Sequence, residues 1–261
     1  MELEEAKRLY SKFFQDKKAM GRFSDNGFSE KYKPAAQKAG FALYDTWQGR
    51  SAEPDVVFVL DTMHGRNSSA IAEFLQELMK QNVLSEKSCV LSEGNSGVLD
   101  YSYPYAGKYG TKFSFAIKHR NGTEIVSVPC TNHIAQAYDA LKRSKVPFLF
   151  NDCLESCVGR RVHRLNSLLL TLEQRLRESP EQAGLRESAD MALKQMIETM
   201  AERSKYFSAG IIGHSEQKPV VQIFGFADYS HEKVQEKLQS VGLSYAAFVP
   251  APSENEKASE K

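Results

Sequence analysis

Apolar positions along the chain fall into short unbroken runs, separated by longer stretches with helical spacing. Val56–Leu60 (VVFVL), Cys89–Leu91 (CVL), Val146–Phe150 (VPFLF), Pro219–Phe224 (PVVQIF) and Tyr245–Val249 (YAAFV) show almost no polar alternation. Runs of this kind suit strands buried on both faces of a parallel sheet. Between them, Ile71, Phe74, Leu75, Leu78 and Met79 repeat at i, i+3, i+4, i+7 and i+8, one apolar helical stripe that Asn67 or Ser68 can cap. Residues 131–145 gather Ile134, Ala137, Tyr138 and Leu141 on one face. Residues 160–178 and 185–207 read as two long helices broken at Ser179-Pro180, an antiparallel helical pair. A last helix starts at Ser230 or His231 and runs to Val241, with Gly242 as its stop.

The remaining stretches are less regular. Residues 113–120 and 123–128 flank Asn121-Gly122, the strongest short-range hairpin signal. Residues 1–17 have a helical pattern, 21–33 read as a loop, and 35–47 as a second short helix. Residues 94–110, rich in glycine and tyrosine, read as an irregular connection after a strand. The Glu-, Lys- and Ser-rich stretch 251–261 reads as a disordered tail. The pattern predicts an α/β fold: a mainly parallel central sheet flanked by helices, with an inserted helical pair and a β-hairpin. It divides into an N-terminal helical cap (1–50), a single α/β domain (51–250) with the helical insertion at about 160–207, and the tail.

Composition narrows the function classes. A net charge of +1 over 261 residues gives no global basic field for nucleic acid. No apolar run approaches a membrane span, and the first eight residues are acidic then basic, unlike a secretory leader. The expectation is a soluble cytoplasmic protein, or one exported by a non-classical, type IV-like route, which the glutamate-dotted tail faintly favours. Cys89, Cys130 and Cys153 read as small core residues; Cys153 and Cys157 could meet on a helical turn as two reduced thiols. No Gly-x-Ser-x-Gly elbow, P-loop or Gly-x-Gly-x-x-Gly is present, which argues against common serine hydrolases and nucleotide chemistry.

The candidate chemistry lies at strand ends. Asp61 and His64 follow the first buried run, and Glu93 follows the second, one crossover later. Ligands of open α/β sheets sit in that kind of crevice. Asp228 and His231 follow the PVVQIF run. Asp61, His64, Glu93, Asp228 and His231 are metal-ligating types, and a carboxylate-rich set with imidazoles favours Mn, Fe, Co or Zn over Ca. Such a metal would polarise a carbonyl and acidify bound water. Without one, His64 and Glu93 could form a general base, the glutamate orienting the ring. Arg203 is a candidate charge partner or oxyanion stabiliser. Tyr101 and Tyr206 are candidate cofactor contacts. Structural roles compete throughout: His64 as a polar cap on its turn, Asp228 and His231 as a helix start, Arg203 as a surface side chain. His119 and His133 read as structural, His214 as a solvated loop histidine, and Arg160, Arg161, His163 and Arg164 as a solvated helix face.

Four segments together carry a resemblance: VFVLDTMHG (57–65), CVLSEG (89–94), Glu202-Arg203-Ser204-Lys205-Tyr206, and VVQIFGFADYSHEKVQEKLQSVGL (220–243). In order and spacing they resemble the erythromycin-esterase/ChaN-like superfamily, which includes the TraB and Tiki proteins. Asp61, three before His64, fits the esterase branch; the Tiki and TraB branches have glycine there. The strand that ends Gly-x-x-His in the Tiki-like pattern ends Gly225-Phe226-Ala227-Asp228 here, with His231 about a turn further on. The resemblance implies a site built from His64, Glu93 and that turn. It implies a hydrolase or metal-dependent peptidase acting on a small molecule or peptide, or a haem-binding protein. The expected function is water-mediated cleavage of an amide or ester, with or without a divalent metal. The alternative is a non-catalytic binder of haem or another ligand, or a secreted bacterial effector that engages a host protein.

Overall fold

The computed structural model describes residues 30–61, 68–93, 96–103, 107–151, 157–179, 181–225, 229 and 233–251. The expected helix over 1–17, most of the loop over 21–33 and nearly all of the tail lie outside these residues.

Helix α1 (Lys33–Lys38) opens at Pro34 and ends before Gly40, whose φ is 74°. Gly40 tolerates this left-handed turn because it has no Cβ. The chain then enters strand β1 (Phe41–Trp47). The expected helix over 35–47 is therefore corrected: its second half is extended. The β-branched run of β2 (Val56–Asp61) leads to α2 (Ser68–Lys80) and β3 (Cys89–Ser92). The stretch read as irregular holds two short strands, β4 (Ser96–Leu99) and β5 (Gly107–Tyr109). The Asn121-Gly122 hairpin joins β6 (Lys112–His119) to β7 (Gly122–Pro129). Next come α3 (His133–Leu141), capped by the Asn132 side chain, and β8 (Phe148–Asn151). The helical pair is α4 (Cys157–Glu178) and α5 (Leu185–Gly213). Then β9 (Val220–Gly225), α6 (Lys233–Val241) and β10 (Tyr245–Pro250) close the fold.

The fold is α/β, with one ten-stranded mixed sheet in the order β1-β10-β2-β9-β3-β8-β4-β6-β5, and β7 on the free side of β6. The central strands β10, β2, β9, β3 and β8 are parallel; β1 and β4 flank them antiparallel. The last two core strands in sequence are inserted beside the first. β9 separates β2 from β3, so the crossover through α2 spans two strand spacings.

Strand alternation sends side chains to two cores. On one face Val57, Val59, Val90, Val221 and Phe248 meet Ile71, Phe74 and Leu78 of α2 and Ala137 and Leu141 of α3. On the other, Phe58, Leu60, Leu91, Phe224 and Ala247 meet Phe207 and Ile211 of α5 and Val234 and Leu238 of α6. Helices on both faces explain why these strands lack polar alternation. A third, small cluster lies away from the sheet: Leu172 of α4 with Leu185, Ala189 and Ala192 of α5. Only the C-terminal part of α5 therefore packs on the sheet. Its N-terminal part and α4 form a hairpin that extends past the carboxyl ends of the strands.

Candidate functional site

Four parallel strands end side by side at Asp61, Gly225, Ser92 and Asn151. The ladder pairs Asp61 with Gly225, and Ser92 with both Ile223 and Phe150. The Glu93 N–H donates to the Ile223 carbonyl at 3.2 Å, which fixes where the β3 backbone leaves the sheet. Glu93 lies just past β3 on the parity of Cys89 and Leu91, which belong to the core under α5. There its carboxylate meets Arg203 of α5, with Nη2 3.6 Å from Oε2 and each side chain 10% exposed. The Arg203 guanidinium also lies 5.0 Å from the Phe207 ring centroid, a cation–π arrangement one helical turn along. Taking two charges out of water is costly unless they are paired. The sequence accepts that cost at the edge where ligands of parallel sheets bind.

A second polar group lies deeper on the same face. Asn151 Nδ2 donates to Gln222 Oε1 at 2.8 Å and to the Phe207 carbonyl at 3.1 Å. Gln222 Nε2 donates to the Ile223 carbonyl at 3.0 Å. Gly210 lets α5 approach this closely, because a Cβ there would overlap the Asn151 amide. The Asn151–Gln222 pair ties β8 and β9 to the α5 backbone four residues beyond Arg203. Sequence reasoning did not single out these residues. The available signal was Gln222, the one polar residue inside the buried run PVVQIF.

On the opposite face, Ser92 Oγ donates to the Glu93 carbonyl at 3.0 Å and lies 3.4 Å from His133 Nε2 at the start of α3. His119 pairs with Glu124 across the hairpin at 3.2 Å. His214 is the C-cap residue of α5.

The candidate residues divide as follows. Glu93 and Arg203 are in contact. Asp61 is buried at the end of β2, but alternation assigns it to the α2 face, away from the side where Glu93 meets Arg203. β2 and β3 are also about 10 Å apart across β9. His64, Asp228 and His231 lie outside the described residues. Among the described residues no three His, Cys, Asp or Glu side chains gather as a metal-ligating group. The described donors therefore do not compose a metal centre, and that expectation rests on His64, Asp228 and His231. Tyr101 and Tyr206 are not brought together. The Tyr101 hydroxyl donates to the Val146 carbonyl at 2.9 Å, and its ring packs on Tyr138 beneath α3. Tyr206 is exposed on α5, over the other face.

Tyr229 anchors the chain between β9 and α6. Its hydroxyl donates to Asp45 Oδ2 of β1 at 2.6 Å, and Gln235 Nε2 donates to its carbonyl at 2.8 Å. Its ring meets Phe58 edge-on with centroids 5.2 Å apart. Burial, reinforced by the Asp45 charge, holds the phenol well above its ordinary range, so it stays protonated and donating. Burial likewise pushes the Cys89 thiol up to about 12, which marks it as an inert core residue.

Compared with known proteins, the chain matches no family model, no curated sequence and no solved structure. Among the described residues no helix is long and apolar enough to cross a membrane.

Proposed function

We propose that the chain is a hydrolase of the erythromycin-esterase/ChaN-like kind, cleaving an amide or ester of a small molecule or peptide at the carboxyl edge of its sheet. The observation that carries this reading is the buried Glu93–Arg203 pair, where a carboxylate at a parallel strand end faces a guanidinium from the covering helix. In the proposed reaction Glu93, set beside the Arg203 guanidinium, accepts a proton from water directly or orients His64 to do so. Water attacks the carbonyl carbon. The Arg203 guanidinium beside Glu93 stabilises the oxyanion as charge moves onto the carbonyl oxygen. The proton is then returned to the leaving alkoxide or amine.

The test is turnover of a panel of p-nitrophenyl esters, N-acyl amides and dipeptides by wild type, Glu93→Gln, Arg203→Lys and His64→Ala. The expected result is a loss of about 100-fold or more in kcat for Glu93→Gln and Arg203→Lys, the scale typical of losing a general base or oxyanion donor. Folding, read by Tm, should be largely retained. Wild-type turnover that Glu93→Gln leaves unchanged would defeat the proposal. Thermal shift with Mn, Co, Zn or haem belongs in the same experiment. Stabilisation by a metal that His64→Ala removes would add an ion to the site. Stabilisation by haem without turnover would favour the non-catalytic binder.

A further inference from the structure

The arginine-rich start of α4 reads from sequence as an ordinary solvated face. In the structure it lies at the rim of the candidate site. β8 ends at Asn151, which is bonded to the Phe207 carbonyl of α5, and α4 begins at Cys157. Arg161 Nη1 lies 3.5 Å from Oε2 of Glu202, the residue before Arg203. The first turns of α4 thus run beside the turn of α5 that presents Arg203 to Glu93. Arg160, Arg161 and Arg164 are all exposed there. Spacings of three and four residues put Arg164 within reach of both other arginines on the helix surface.

Two features make this cluster unlike a random solvated face. First, it is unbalanced. Among the described residues Arg161 has Glu202, while Arg160 and Arg164 have no ion-pair partner. Second, it works against its own helix. The first turn of α4 carries no acidic residue, and cations near a helix N-terminus are disfavoured by the macrodipole. With a net charge of only +1, composition does not force arginines into this position. Local rules broken beside a candidate site are where function is expected to show.

We propose that Arg160, Arg161 and Arg164 form an anion-selecting rim, so that the molecule acted on at Glu93–Arg203 carries a carboxylate or phosphate group. The term "acted on" rests on the hydrolase reading; the anion site itself does not. Guanidinium forks match both oxyanions bidentately. An anion seated on the rim would hold the scissile group over the strand ends. It would also offset the like-charge crowding at the helix start.

The test separates the two readings. Inorganic phosphate and succinate are titrated calorimetrically into the full chain at low and raised salt. The variants are Arg160→Gln/Arg161→Gln/Arg164→Gln, the charge-keeping triple lysine variant, Glu93→Gln, and a control, Arg175→Gln/Arg177→Gln, at the far end of α4. The expected result is salt-sensitive binding of at least one anion, weakened tenfold or more only in the triple glutamine variant. The lysine variant, which keeps the charges but not the guanidinium forks, should retain part of it, which excludes misfolding as the cause. Which anion binds tells carboxylate from phosphate. Equal affinity in wild type and the triple glutamine variant, an equal loss in the control, or no wild-type binding of either anion would overturn the rim. Binding that survives Glu93→Gln in a protein with no turnover would keep the rim and sink the hydrolase. Turnover equal on neutral and anionic esters in wild type and triple variant would do the reverse.

Discussion

The two edges of the parallel sheet each bury a carboxylate, and they use it differently. At the amino edge Asp55 is 2% exposed and saturated. Its Oδ1 accepts from Ser51 Oγ at 2.7 Å and pairs with Lys218 Nζ at 2.5 Å, while Oδ2 accepts the Ser244 N–H at 2.8 Å. The Asp55 and Val56 N–H groups donate to the Ser244 carbonyl, and the Val220 N–H to the Asp55 carbonyl. One side chain thereby joins the starts of β2, β9 and β10. At the carboxyl edge the Glu93 carboxylate lies 3.6 Å from the Arg203 guanidinium of the covering helix, longer than a hydrogen bond. A buried carboxylate whose oxygens are filled by three chain segments is a rivet. One set against a guanidinium from the covering helix, at the edge where ligands of parallel sheets bind, is placed for chemistry.

That contrast can be broken or sharpened by substitution. The largest stability loss is expected for Asp55→Ala, about 3 kcal/mol, because three hydrogen bonds disappear and the buried Ser244 N–H is left without an acceptor. Urea unfolding would show the fall, and turnover per folded molecule should not change. Gly210→Ala should cost about 2 kcal/mol by overpacking, since the new methyl displaces the Asn151 amide. Adding Asn151→Ala should remove the overlap but leave buried Gln222 without its donor, so the double variant should recover only part of the loss in Tm. Glu93→Gln keeps the shape and should cost only about 1 kcal/mol while removing activity. A loss of several kcal/mol there would make Glu93 a second rivet and erase the difference between the edges.

Acid should reveal the same asymmetry. Burial pushes the Asp55 carboxyl up, but hydrogen bonds from Lys218, Ser51 and Ser244 outweigh it and leave it below the ordinary range. A lowered folded value means that the unfolded chain binds the proton more readily. The stabilisation is then complete above the unfolded carboxylate value, about 4, and is lost as pH falls through the folded value. Glu77, bonded by Lys80 and Lys38, and Asp100, bonded by Ser102 and Lys118, shift the same way. Melting temperature measured against pH should therefore fall below about pH 4. The slope should be shallower in Asp55→Asn.

Much of this was legible in the residues, for identifiable reasons. The core strands announced themselves because burial on both faces requires continuous apolar runs, and Asn121-Gly122 fixed the hairpin by turn chemistry. Phe41–Trp47 has an apolar spacing that also fits a helix, and the left-handed turn at Gly40 that separates it from α1 carries little sequence pattern. β4 and β5 were missed because strands of four and three residues carry little pattern. Asp61 and Glu93 were placed at strand ends correctly. Their assignment to different faces was not visible, because it depends on β9 entering between β2 and β3. The contact of Glu93 with Arg203, 110 residues apart in sequence, is likewise a product of tertiary structure.

The helical hairpin has a further consequence. At 1.5 Å per residue the 29 residues of α5 span about 44 Å. Phe207 and Ile211 near one end are sealed in the sheet core, while the other end packs on α4 through the small cluster of Leu172, Leu185, Ala189 and Ala192 with partly buried Leu169 and Leu176. Backbone amides along this one helix should exchange with deuterium on very different timescales. Those after Arg203 should wait for global unfolding. Those before Ala192 should open locally, and a protease should cut first near 179–184. Arg203 lies near the crossover, at the point where a rigid helix becomes a yielding one.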